Sequence, residues 1–66
     1  MTLKEIQERI RAIEALAVLD PELAHEAQDE LYLAILAAIR RGCKDPKRYA
    51  AEALRLSQMK FPRWYG

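Results

Sequence analysis

Nine consecutive residues, LYLAILAAI at positions 31–39, carry no charged side chain. They lie inside a stretch bounded by Asp20-Pro21 upstream and Gly42 downstream. Asp followed by Pro suits the N-cap and first position of a helix. Glu22 reinforces that start through the helix dipole, and Gly42 supplies a left-handed stop. These signals predict a helix from 21 to about 41, with Arg40 and Arg41 in its last turn. At about 1.5 Å per residue it spans roughly 30 Å. A helix that is apolar on every side has to be covered on every side, and that requirement constrains everything else in the chain.

Two further helices are legible beside it. Thr2-Leu3-Lys4-Glu5 reads as a capping box, the Thr2 hydroxyl accepting from the Glu5 N–H while the Glu5 side chain reaches back. Leu3, Ile6, Ile10, Ile13 and Ala17 then recur at steps of three and four, one apolar stripe on a helix of about residues 3–18. Lys4, Gln7, Glu8, Arg11 and Glu14 fall on its other side. Asp45-Pro46 repeats the start signal and predicts a third helix over about 46–58, with Tyr49, Ala50, Ala53, Leu54 and Leu56 on its apolar side. The two Asp-Pro starts are cap chemistry and no internal repeat. No segment reads as a strand. The expected fold is all-α, a three-helix bundle with a long central helix, in one domain covering 1–66.

Sixty-six residues bury only about 60% of the surface that the unfolded chain exposes, so the core is marginal. Small domains compensate with disulfides, metals or association. Cys43 is the only cysteine, which excludes a disulfide within the chain, and one Cys with one His falls short of four zinc ligands. Association or very regular helix packing remains. The absence of a long apolar run argues against a membrane span, and MTLKEIQERI lacks the basic-then-apolar pattern of a signal peptide. The expectation is a cytoplasmic protein with a reduced thiol. Its formal net charge of +1 hides an asymmetry. Residues 1–39 hold three Lys/Arg against eight Asp/Glu, and residues 40–66 hold eight against two. The halves attract each other, within one molecule or between neighbours.

Two helices cannot wrap the central one completely. The chain ends FPRWYG, with its only Phe and only Trp, and Pro62 stops any continuation of the third helix. A tail over 59–66 that folds back would place Phe61 and Trp64 beside the central helix, each ring bringing on the order of 150–250 Å². Arg63 and Tyr65 complete this segment, and docking in the chain's own core or in a dimer interface is the favoured reading. The alternatives are a free aromatic peptide offered to another protein, or stacking on single-stranded nucleic acid with Arg63 beside Trp64.

The chain resembles, over most of its length, a set of short helical proteins of bacteria and their phages. The resemblance rests on His25 followed by Asp29-Glu30-Leu31-Tyr32, the apolar segment ending at Ile39, Asp45-Pro46, and the Phe61-x-Arg63-Trp64-Tyr65 ending. It implies a helical fold and lends no activity, cofactor or substrate.

Two segments carry candidate chemistry. In HEAQDE, residues 25–30, His25 and Asp29 are four apart on one helix face. A metal reading places His25, Asp29 and Glu22 around a divalent ion, with symmetry mates completing the shell. A catalytic reading makes His25 a general base oriented by Asp29. Acidic residues belong in the first turns of a helix, however, and a structural role outweighs both. No nucleophile set, phosphate-cradling Gly loop or HExxH motif accompanies the cluster, and Glu5 with Glu8 is too common a spacing to mark a pyrophosphohydrolase. No cofactor is called for.

The second segment, RRGCKDPKR at 40–48, holds five basic residues in nine. Lys47 and Arg48 fall in the first turn of the third helix, where positive charge opposes the dipole by roughly 0.3–1 kcal/mol each. A bound anion would reverse that effect. Arg41, Lys44, Lys47 and Arg48 therefore form a candidate phosphate or nucleic-acid contact. The near-zero net charge and a third helix poor in base-reading side chains argue against it. The sequence as a whole points to a non-enzymatic protein-interaction or scaffold module that forms a homodimer, because the central helix offers more uncharged surface than two short helices cover.

Overall fold

The computed structural model describes residues 1–59. Three helices occupy them, α1 (Leu3–Leu19), α2 (Pro21–Arg40) and α3 (Pro46–Ser57), and every pair packs together. The expected all-α three-helix bundle with a long central helix is the observed fold. Of the expected tail only Met59 is described; Phe61, Arg63, Trp64 and Tyr65 lie outside the described residues.

Each helix starts and stops for a local reason. At α1 the Glu5 N–H donates to the Thr2 hydroxyl at 3.1 Å. The return arm of the capping box differs from expectation. The Glu5 carboxylate accepts from the Thr2 hydroxyl at 3.3 Å, side chain to side chain. Asp20 alone joins α1 to α2. Its N–H donates to the Leu16 carbonyl at 2.7 Å, closing α1, while its Oδ1 accepts from the Leu23 N–H at 3.1 Å, opening α2. One residue thus satisfies groups on two helix ends.

α2 ends one residue earlier than expected, in a complete Schellman motif. The Gly42 N–H donates to Ile39 O and the Cys43 N–H to Ala38 O. Gly42 takes φ +84, and a Cβ there would meet nothing within 4 Å. The requirement for glycine is therefore purely one of backbone conformation. Cys43, directly after the stop, is half-buried and packs against the core as a small filler.

α3 begins at Pro46 as expected, but its start is built differently from that of α2. Asp45 stands in the left-handed region, at φ 59 and ψ 54, and its side chain makes no capping hydrogen bond. That conformation turns the carboxylate away from the N–H groups that it would cap.

The core forms where the three stripes meet. Ile6, Ile10 and Ile13 of α1 face Ala24, Leu31, Ile35 and Ala38 of α2, with Tyr49 and Leu56 of α3 closing the third side. Fully burying an aliphatic side chain of this kind stabilises by about 1.5–3 kcal/mol. The α3 stripe is narrower than expected. Ala50 is exposed, Leu54 is 65% exposed, and Glu52 is buried instead at 9%. Positions 49, 52 and 56 lie on one line by the three-four rule, and Leu54 falls outside it.

Polar bonds fix the seating of α3. Gln28 Nε2 donates to the Leu56 carbonyl at 2.9 Å, and Tyr49 OH donates to the Met1 carbonyl at 2.7 Å. Glu52 Oε1 accepts from Gln7 Nε2 of α1 at 3.4 Å, and Glu52 Oε2 pairs with Arg55 at 3.2 Å. α3 therefore runs alongside α1 in the same direction, its start near the α1 start and its end against the middle of α2.

Candidate interaction surface

The requirement that α2 be covered on all sides is not met within the described residues. Leu33 is 69% exposed and Leu36 62%, although both lie in the uncharged middle of the helix. The reason is geometric. Ala24, Gln28, Leu31, Ile35 and Ala38 form one buried stripe of α2, on which both α1 and α3 pack. Together the two helices cover one broad face, and residues 33 and 36 lie opposite it.

The exposed face has an order along its length. At about 100° per residue, Asp29, Leu33, Leu36 and Arg40 fall within an arc of about 60°, and all four are exposed. Glu22 and Glu26 continue this face toward the start of α2, also exposed. The face thus reads acidic, apolar, basic from one end to the other. Among the described residues the ion pair formed is Arg55–Glu52, so neither Asp29 nor Arg40 is neutralised there.

α3 exposes an apolar side chain of its own, Leu54. Glu52 points toward Gln7 of α1, which puts Ala53 on the α2 side and Leu54 one step further round. Leu33 and Leu36 form an apolar strip on α2, the kind of surface that monomers rarely leave open once it grows beyond a few hundred Å². Val18 and Leu19, 84% and 83% exposed at the α1–α2 corner, form a second apolar spot.

The other candidate residues distribute differently. Glu22 and Asp29 are exposed, and His25 is half-buried on the flank of α2 between them and the core. Among the described residues no group of three His, Cys, Asp or Glu side chains comes together to hold a metal ion. Arg41, Lys44, Lys47 and Arg48 are all exposed, spread over the α2–α3 connection and the first turn of α3. Arg48 lines a shallow depression of about 250 Å³ with Leu3, Gln7, Ala51 and Glu52, and the other three cations lie outside it. A second depression, about 140 Å³ between Arg9, Ala12, Ile13, Leu16 and Ala27, gathers no set of polar groups. No helix among the described residues is long and apolar enough to cross a membrane.

Sequence reasoning passed over Gln28 and Glu52 and set Gln7 on the outer side of α1, yet these are the polar residues that position α3. Their signal was available in part. Gln28 falls in the 24, 28, 31, 35, 38 series of α2 and Glu52 between Tyr49 and Leu56, each at a core position. A polar residue in such a series needs a partner inside. Comparison with known proteins adds nothing to this geometry, since no family model, curated protein or solved structure matches the chain.

Proposed function

We propose that the chain is a small helical interaction module that acts by self-association, using the α2 face centred on Leu33 and Leu36. The observation that carries this reading is the exposure of those two leucines, 69% and 62%, in the middle of the longest and most apolar helix. Burying such a surface against another protein is favourable at about 25 cal/mol per Å² of apolar area, less the cost of association. A bundle of this size gains stability from a partner that its own core cannot supply. The reduced thiol of Cys43 fits a cytoplasmic setting.

Sedimentation equilibrium at micromolar concentration tests the reading. A dimer of the 7.6 kDa chain is expected, and Leu33→Glu with Leu36→Glu is expected to convert it to monomer. A clean monomer of the unaltered chain up to about 100 µM, where even weak specific pairs associate, overturns it.

One observation favours a second reading, anion or nucleic-acid backbone contact by Arg41, Lys44, Lys47 and Arg48. α3 begins with no side-chain cap and no acidic residue in its first turn, which leaves the positive end of its dipole open to an external anion. Gel shifts at about 50 mM salt test it, since phosphate contacts are strongest at low salt. Absence of any shift there removes it.

A further inference from the structure

The α2 face carries more information than its hydrophobicity. Asp29 and Arg40 are eleven positions apart, Leu33 and Leu36 three apart, and both pairs share one midpoint between residues 34 and 35. The same face therefore has opposite charges placed symmetrically about a pair of leucines. Turned end for end, it matches itself.

We infer that the partner of this surface is a second copy of the chain, docked antiparallel through α2 about a two-fold axis at residues 34–35. This rests on the self-association proposed above and adds the register. In that register Leu33 of one copy packs on Leu36 of the other, twice, and Asp29 meets Arg40, twice. Glu22 and Glu26 approach the end of the opposite α2, where Arg41 lies. Parallel pairing would set Asp29 against Asp29 and Arg40 against Arg40, bringing like charges together at both ends. Charge placement thus selects direction where the leucines alone would accept either.

The two-fold operation keeps equivalent flanks on the same side of the seam. An isologous contact of this kind closes on itself and ends at the dimer. Among the described residues the Glu52–Arg55 pair lies wholly within the basic half of the chain, which leaves Asp29 and Arg40 available to the seam.

Charge reversal tests the register separately from association itself. Asp29→Arg alone sets an arginine against Arg40 at both ends, and Arg40→Asp alone sets an aspartate against Asp29. Each variant is expected to dimerise about tenfold or more weakly than the unaltered chain in sedimentation equilibrium, from two exposed attractions turned to repulsions. An equimolar mixture of the two single variants is expected to regain the original affinity as a heterodimer. There the two substituted side chains, now of opposite charge, face each other at one end, and the unaltered Asp29 and Arg40 face each other at the other. The double variant Asp29→Arg/Arg40→Asp is expected to regain it as a homodimer. Helical circular dichroism of each variant establishes that the fold is kept. If the unaltered chain dimerises but the mixture shows no recovery, the antiparallel register is overturned while self-association stands. If the unaltered chain is monomeric, both fall.

Discussion

Gln28 Nε2 donates to the Leu56 carbonyl at 2.9 Å, and both residues are wholly buried. This bond ties the middle of α2 to the last turn of α3, where the ladder of α3 itself is ending and its carbonyls lose their helical donors. A buried polar tie at that place fixes how far α3 slides along α2. Replacing Gln28 with Ala removes the donor and leaves a small void. Chemical denaturation is expected to show a loss of about 1–3 kcal/mol, a large share of the stability of so short a chain.

The two Asp-Pro helix starts predict opposite responses. Asp20→Ala removes a capping acceptor from α2 and is expected to cost about 1 kcal/mol. Asp45 caps nothing with its side chain and occupies a left-handed conformation, so Asp45→Gly is expected to stabilise by several tenths of a kcal/mol, through relief of the unfavourable φ. Thermal melts of the two variants side by side check the contrast. Equal losses at both positions would show that Asp45 caps in solution.

Tyr49 combines a buried ring with a hydroxyl that reaches the Met1 carbonyl at 2.7 Å. Tyr49→Phe keeps the ring and deletes that bond. A loss of about 0.5–1.5 kcal/mol is expected, together with faster amide hydrogen exchange in the first turn of α1, which this hydroxyl anchors to α3. Unchanged exchange there would mean that the bond contributes nothing to holding the chain start.

Adjacent positions on α2 separate core from surface. Ile35 is wholly buried and Leu36 is 62% exposed. Ile35→Ala is expected to cost about 2–5 kcal/mol from lost transfer energy and the cavity left behind. Leu36→Ala should leave the monomer within about 0.5 kcal/mol of its starting stability and weaken the dimer instead. Denaturation at a high and a low protein concentration distinguishes the two, because only a dimer contribution depends on concentration.

Much of the helical frame was legible in the residues, because its signals are local. Thr2, the two Pro positions and Gly42 each act on neighbours within one turn, and all the expected starts were found where those signals stand. The Asp45 side chain departed from expectation because the same dipeptide adopts a different backbone conformation after the α2 stop. What periodicity could not supply was the outcome of competition between neighbours. Leu54 and Leu36 look like core residues by composition, yet among the described residues two helices cover α2, and together they bury one face of it. Conversely, Glu52 and Gln28 look like surface residues until their places in the core series are noticed. The metal and anion candidates were read from spacing along one helix or one loop. Spacing places side chains on a face, but it does not bring ligands in from other elements to complete a site.

The single-residue corner at Asp20 also bears on kinetics. Loop closure between α1 and α2 costs almost no chain entropy when one residue joins them, whereas α3 must be brought back across the full length of α2 to meet Tyr49 with Met1. The α1–α2 hairpin is therefore expected to form in the folding transition state, with α3 docking afterwards. Stopped-flow rates for Ile13→Val and Leu56→Ala would reveal this order, the first slowing folding and the second mainly hastening unfolding.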